Sequence, residues 1–375
     1  MRGWARRGAL TVCAAWLAGT LVSGQAPALK QLVPNGMLIG AALGQRQWDG
    51  TDAAAAAIVP VQFSSVSPEN ALKWGPVHPE AARYNFEPAD RYVAYAEAHG
   101  LAAIGHVLVW HQQTPAWVFA GEGGGRASRE VLLARMREHI QAVVGRYRGR
   151  IRGWDVVNEA VDEDGSLRKT PWLEIIGEDY IAKAFEFARA ADPKAELYYN
   201  DYNLWKPAKL AGALRIVRGL KNGGMRIDAV GEQGHWLIGE PSAAEIDATI
   251  AGIAAAGLKT VITELDVDVL PRDEGMYGAD LSQQRAYQAS TNVYPDGLPQ
   301  EQQERLARRY ADIFRVFLKH RSHVSRVTLW GVTDLYSWLN NFPVRGRVNY
   351  PLLWDRQGRP KPAFQAVVEV LKGVR

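Results

Sequence analysis

Two glutamates in this sequence stand at the ends of short apolar runs rich in β-branched residues. Ile151-Arg-Gly-Trp-Asp-Val-Val-Asn-Glu-Ala160 delivers Asn158 and Glu159, and Lys259-Thr-Val-Ile-Thr-Glu-Leu-Asp266 delivers Glu264. An ionised carboxylate at the end of a buried strand costs on the order of several kcal/mol unless it is paired or does chemistry. Taken alone, Glu159 is explained as well by a helix N-terminus or a surface charge. Taken together, two strand-end glutamates have the form of an acid and a second carboxylate flanking a glycosidic bond. Retaining enzymes set such a pair about 5–5.5 Å apart and inverting ones about 6.5–9.5 Å, and spacing along the chain does not choose between them.

Elements able to present these groups alternate through the chain. Strand-like runs fall at Met37–Ala41, Val61–Val66, Leu101–Val109, Ile151–Asn158, Glu196–Tyr199, Arg226–Val230, Lys259–Asp266 and Val324–Trp330. Helical runs lie between them: Asp52–Val59, Ala89–His99, Ser128–Tyr147, Glu178–Ala191, Pro207–Asn222, Ser242–Gly257, Pro299–His320 and a last one after Pro362. In the third, Ser128 is a good N-cap. Leu132, Leu133, Met136 and Ile140 make its apolar stripe, and Glu130, Arg135, Arg137 and Glu138 its wet face. Eight strand–helix units imply parallel strands closed into an α/β (β/α)8 TIM barrel. An open doubly wound sheet would want a phosphate-binding glycine loop, and Gly40-Ala-Ala-Leu-Gly44 is not one.

A barrel gathers its chemistry at the C-terminal strand ends. Those ends carry Glu69, Asn70, Lys73 and Trp74; His106, Trp110, His111 and Gln113; Asn158 and Glu159; Asn200 to Asn203; Glu232, Gln233 and His235; Glu264 and Asp266; and Trp330, Asp334 and Trp338. Amides and carboxylates bind hydroxyls, and indole faces stack on sugar rings, so the mixture suits an uncharged polyhydroxylated ligand. Trp154, in mid-strand, reads as core. Glu232 and Asp266 read as supporting ion-pair residues, and Asp162, Glu163 and Asp164 as a solvated loop.

The 375 residues are 47% hydrophobic and 22% charged, an ordinary globular composition. Residues 1–28 read as a signal peptide: Arg2, Arg6 and Arg7 precede an apolar run from Ala9 to Val22, with small residues after it. The cut could fall at Ala26-Pro27-Ala28 or near Ser23-Gly24. The formal charge of +4 owes three positive charges to this segment, so the remainder is close to neutral. The single cysteine, Cys13, lies there too, leaving no thiol nucleophile or disulfide for the mature chain. No basic patch argues for nucleic acid, and no later run of eighteen apolar residues argues for a membrane span.

The chain resembles family 10 of the glycoside hydrolases, whose main activity is endo-β-1,4-xylanase. The likeness runs from about Gly40 to about Phe364. It rests on Glu69-Asn-Ala-Leu-Lys-Trp74, Arg83-Tyr-Asn-Phe86 with Ala89-Asp90, Gly105-His-Val-Leu-Val-Trp-His111, Trp154-Asp-Val-Val-Asn-Glu159, Tyr199-Asn-Asp-Tyr-Asn203, Gly231-Glu-Gln-Gly-His235, Ile262-Thr-Glu-Leu-Asp266, and Thr328-Leu-Trp-Gly-Val-Thr-Asp334 with Ser337-Trp338. The signal segment implies a secreted or periplasmic location, and the resemblance implies a Gram-negative-like, monomeric enzyme without cofactor, one catalytic domain over 29–375 that cleaves xylan or xylo-oligosaccharides with retention. It makes Glu159 the acid/base and Glu264 the nucleophile, with His235 and Asn158 tuning them. Asn158 would hold the sugar's 2-hydroxyl. His106, Lys73, Trp110, Gln233 and Trp330 would line the subsite of the cleaved residue. Glu69, Asn70 and Trp338 would grip the next sugar, with Gln113 nearby and Tyr202 on the leaving-group side. Val107 stands where threonine is common, and Trp354 where phenylalanine is. The long segment Val267–Pro299, with Tyr277, Tyr287 and Tyr294, resembles versions from Gram-negative bacteria.

Three rivals stay open at this level. One is a retaining β-glucanase or mannanase on the same barrel. Another is a metal-dependent hydrolase using His106, His111 and His235 with acids, although a spacing of five across a strand end disfavours convergence. The third is a non-catalytic carbohydrate-binding barrel, which would have no need of both glutamates.

Overall fold

A computed structural model of the chain describes residues 27–272, 279–280, 283–287 and 289–373. The proposed signal segment up to residue 26, with Cys13, and Tyr277 lie outside the described residues. The strands are β1 (Leu38–Leu43), β2 (Ser65–Pro68), β3 (Ala102–Val109), β4 (Ile151–Asn158), β5 (Glu196–Asp201), β6 (Ala229–Glu232), β7 (His235–Leu237), β8 (Lys259–Asp268) and β9 (Val324–Leu329). Pairing is parallel throughout. The order β6-β5-β4-β3-β2-β1-β9-β8 closes on itself through a β6–β8 pairing, and β7 is a short extra strand on the outer half of β8. Eight strands therefore form the closed barrel expected from the alternation.

Helices α1 (Ala53–Gln62), α2 (Glu87–Ala98), α3 (Arg129–Arg146), α4 (Tyr180–Ala191), α5 (Pro207–Asn222), α6 (Ala243–Ala255), α7 (Gln300–Lys319) and α8 (Pro362–Lys372) fall between or after the strands. Their starts follow local chemistry. Ser128 Oγ accepts from the Val131 amide at 3.3 Å. Ser242 and Glu245 form a reciprocal capping box on α6, which satisfies amide groups that have no partner inside the helix. The core lies between barrel and helices, and Leu132, Met136 and Ile140 of α3 are fully buried in it.

Two elements depart from the sequence reading. Val61, expected in strand two, lies in the last turn of α1 and is 40% exposed, and the strand begins at Ser65. The Asp52 cap, which accepts from the Ala55 amide at 3.0 Å, starts a helix that runs through the apolar Ile58-Val59 turn. β6 begins at Ala229 rather than Arg226, because Asp228 uses its carboxylate to accept from the Leu197 amide at 2.8 Å before the ladder starts.

Register irregularities fall close to the chemistry. The β3–β4 pairing shifts between His106 and Val109, and the β8–β9 pairing shifts between Ile262 and Leu265. Such shifts re-aim side chains at a barrel rim, and here they flank His106 and Glu264.

Candidate active site

Glu159 follows β4 directly and adopts a left-handed backbone, φ +58°, which is uncommon for a residue with a side chain. The Glu159 amide donates to the Asn200 carbonyl at 2.9 Å, extending the β4–β5 ladder by one bond. Its carboxylate is buried and receives three donors. Trp110 Nε1 donates to Oε2 at 2.8 Å, and Oε1 accepts from Gln233 Nε2 at 2.9 Å and from Asn158 Nδ2 at 3.1 Å.

Glu264 projects from β8 on the other side of the same polar cluster. Asn200 Nδ2 lies 2.9 Å from Glu264 Oε1 and 2.9 Å from Asn158 Oδ1, so one amide links the neighbourhoods of the two glutamates. Thr263 Oγ1 donates to Asn200 Oδ1 at 2.7 Å and fixes which way that amide faces. Glu264 Oε2 is 3.2 Å from His235 Nε2, and His235 Nδ1 is 3.0 Å from Asp266 Oδ1. Trp338 Nε1 donates to the other Asp266 oxygen at 2.6 Å. Asp266, inside β8, thus supports His235, in keeping with its reading as an ion-pair residue.

The two glutamates are buried alike and pushed in opposite directions. Burial raises Glu159 above its ordinary value and the Glu264 charge adds to this. Hydrogen bonds from Gln233 and Trp110 and the charge of Arg168 reduce the rise without reversing it. Burial raises Glu264 too, but the His235 hydrogen bond, the His106 and His235 rings and the Asn200 bond outweigh it, and its pKa falls below the ordinary value. Burial works against the His235 cation, yet Asp266 and Glu264 together lift that ring to about 9. At neutral pH His235 is therefore an imidazolium able to donate from both nitrogens. One carboxyl is biased to hold a proton and its neighbour to lack one, as acid and nucleophile require.

The remaining expected residues gather around this pair. Lys73 is buried, donates to Asn70 Oδ1 at 3.1 Å and lies 5.1 Å from the Trp110 ring centroid. Burial lowers its ammonium pKa against the pull of Glu264, Glu69 and Glu159. Glu69 is raised by burial, against Lys73 and Asn70. His106 Nδ1 meets Asp155 Oδ2 at 2.9 Å, and its ring packs edge-on to Trp330 at 5.5 Å. Trp338 stacks on Phe342 with centroids 4.6 Å apart. Gln113 is exposed, its amide 3.5 Å from Asn70 Oδ1, and stands at the edge of the group. Tyr202 is buried beside Arg168, whose Nη2 donates to the phenol oxygen at 2.8 Å.

Several contributors were not singled out from the sequence. Asn200 sits inside a recognisable strand-end run, but its bridging role depends on β4 and β8 lying on either side of β5 and β6. Asp155 reads as an interior strand residue, and only the β3–β4 register sets it against His106. Arg168 carries no signal at all, being one arginine in a loop. Glu163, read as solvated, forms ion pairs with Lys206 at 2.5 Å and with the fully buried Lys209 at 3.2 Å, because Lys206 caps the start of α5 and Lys209 lies in its first turn. Trp172, buried, supports Trp110: its indole N–H donates to the Trp110 carbonyl at 3.0 Å. Among the described residues, no group of three or more His, Cys, Asp or Glu side chains is disposed to hold a metal ion.

Comparison with known proteins adds independent information. The model of the glycosyl hydrolase family 10 matches residues 28–370. Endo-1,4-beta-xylanase A of Xylanibacter ruminicola is 42% identical over 344 residues, covering 92% of this chain and 93% of that one. Endo-1,4-beta-xylanase B of Paenibacillus barcinonensis is 41% identical over 351 residues, covering 92% and 99%. Among solved structures, a family 10 endoxylanase retrieved from a sugarcane soil metagenome superposes with a TM-score of 0.87 at 43% identity, covering 92% of this chain and 99% of that chain.

Proposed function

The chain belongs to glycosyl hydrolase family 10, and from that premise we propose that it is an endo-1,4-β-xylanase working by a retaining double displacement. The observation that carries the acid and nucleophile roles is that Glu159 and Glu264 stand buried in one hydrogen-bonded cluster joined through Asn158 and Asn200, with Glu159 raised and Glu264 lowered. Glu159, protonated, gives its proton to the glycosidic oxygen as the bond from that oxygen to the anomeric carbon breaks. A Glu264 oxygen forms the new bond to that carbon. Glu159, now a carboxylate, takes a proton from water as the water attacks the anomeric carbon and Glu264 leaves.

Asn158, Gln233, Lys73, His106, Trp110 and Trp330 are the residues we assign to the cleaved sugar. Gln233 Oε1 is buried without a hydrogen-bond donor from the described residues, an acceptor that a sugar hydroxyl would satisfy. Glu69, Asn70 and Trp338 are assigned to the next sugar, Gln113 to its edge and Tyr202 to the leaving-group side. Residues 29–375 would form one catalytic domain of a monomer, exported by the preceding segment. No described helix is long and apolar enough to cross a membrane.

The test is hydrolysis of xylan against carboxymethyl-cellulose and mannan, with the anomer of the first product read by NMR. Release of β-configured xylo-oligosaccharides from xylan, with far slower action on the other two polymers, is expected. Preference for cellulose or mannan would overturn the substrate, and an α-configured first product would overturn the mechanism.

A further inference from the structure

The loop after β4 is a hairpin that returns to its starting point. Val161 bridges Leu167 in antiparallel fashion, and the Arg168 amide donates to the Ala160 carbonyl at 2.8 Å. This return sets the Arg168 side chain, only 13% exposed, against the acid/base residue. Arg168 Nε donates to the Glu159 carbonyl at 3.2 Å, and Nη2 donates to the Tyr202 phenol at 2.8 Å.

Neither partner is held by Arg168 alone. Glu159 has a left-handed backbone whose amide is already bound to Asn200, so the arginine secures its other side. Lys209, fully buried, places its ammonium 3.4 Å from the Tyr202 ring centroid and is anchored by Asp201 at 3.1 Å and Glu163 at 3.2 Å. The tyrosine is thus fixed by a cation on its face and by a donor at its oxygen. Asp162, 3.9 Å away, is the carboxylate paired with the guanidinium at the solvent side. A planar fork bonded to two groups at once fixes their relative position in a way a single ammonium does not.

We propose that Arg168 is a positioning residue for proton donation: it locks the backbone of Glu159 to Tyr202, so that the acid and the sugar on the leaving-group side keep one relative geometry. This deepens the proposed function and rests on Glu159 being the acid. Arg168 acts through Glu159 and Tyr202 and is not itself assigned to bond making or breaking.

The effect must then depend on how much the leaving group needs a proton. The experiment measures kcat/KM, which reports the glycosylation step, for the wild type, Arg168→Met and Arg168→Lys. Each is assayed on xylohexaose, whose leaving sugar needs protonation, and on 2,4-dinitrophenyl β-xylobioside, whose phenolate does not. For Arg168→Met a loss of about 10- to 100-fold is expected on xylohexaose, below the 10²–10⁴ that removing a general acid costs, because the carboxyl remains. On the dinitrophenyl glycoside the loss should stay within about threefold. Arg168→Lys, able to restore one bond of the two, should fall between wild type and Arg168→Met on xylohexaose. Equal losses on both substrates, or no loss on either, would overturn the proposal. If Arg168→Met does not fold, the ratio for Arg168→Lys decides in the same way. A wild type without action on either xylo-substrate would refute the proposed function instead, an outcome visible before any variant is compared.

Discussion

His235 reaches Glu264 through Nε2 at 3.2 Å while its Nδ1 is held by Asp266 at 3.0 Å, so a buried imidazolium keeps the proposed nucleophile ionised. The pH dependence of kcat/KM should therefore be a bell. Its acidic limb belongs to Glu264, lowered, and its basic limb to Glu159, raised. His235→Asn removes the cation and should move the acidic limb to higher pH, with a loss of about 10-fold or more at the optimum. A pH–rate profile of the variant with an unmoved acidic limb would remove His235 from this role.

The same ring makes a stability prediction. Its folded pKa of about 9 lies above the ordinary histidine value of 6.5, so the folded state binds the proton more tightly than the unfolded one. That contribution is complete below about 6.5 and is lost as pH rises through about 9. Melting temperatures of the wild type and of His235→Asn, followed from pH 6 to 10, should converge as the pH rises. A constant gap would contradict the assignment.

Replacing either glutamate separates their roles. Glu264→Ala should lose at least about 10⁴-fold on xylan, with azide restoring turnover as an α-glycosyl azide. Glu159→Ala should lose about 10²–10⁴-fold on xylan, much less in glycosylation by an activated aryl glycoside, and should give a β-glycosyl azide. Product anomers read by NMR check both, and interchanged anomers would reverse the assignment.

The Asn200 side chain has room to link Asn158 to Glu264 because residue 231 is glycine. A β-carbon at Gly231 would collide with the Asn200 amide oxygen and come within 3.0 Å of Thr263 Cγ2. Gly231→Ala should cost about 1–3 kcal/mol of stability by overpacking. It should also lower kcat more than it changes KM, since the displaced amide binds Glu264. Denaturant melts and steady-state kinetics test this, and an unchanged kcat would show that Asn200 is not needed in place.

Away from the cleft, Lys361 is buried with its ammonium 2.8 Å from Asp334 and 2.7 Å from the Tyr350 and Leu352 carbonyls. Lys361→Met leaves Asp334 and those carbonyls without this donor and should destabilise by about 3–5 kcal/mol. Adding Asp334→Leu should recover part of the loss. A single variant as stable as wild type in denaturant melts would refute the pairing argument.

Alternating β and α patterns, helix caps such as Ser128 and the polar runs at strand ends were legible in the chain, because local propensity and periodicity act over a few residues. Thus the barrel and the strand-end pair Glu159 and Glu264 could be read from order alone, and the family resemblance supplied the roles proposed for His235 and for the residues assigned to the sugar. The strand boundary at Val61 was misplaced because an apolar run does not declare whether a capped helix will continue through it. What only the tertiary structure decided are the relations across elements: Asn200 between Asn158 and Glu264, Asp155 on His106, Lys209 under Tyr202 and Arg168 folded back on Glu159. Each depends on barrel register or on a hairpin's return, which brings together residues far apart in the chain. The opposite bias of two equally buried glutamates is decided there too, since a carboxyl's proton affinity is set by the charges and donors around it and not by its neighbours in sequence.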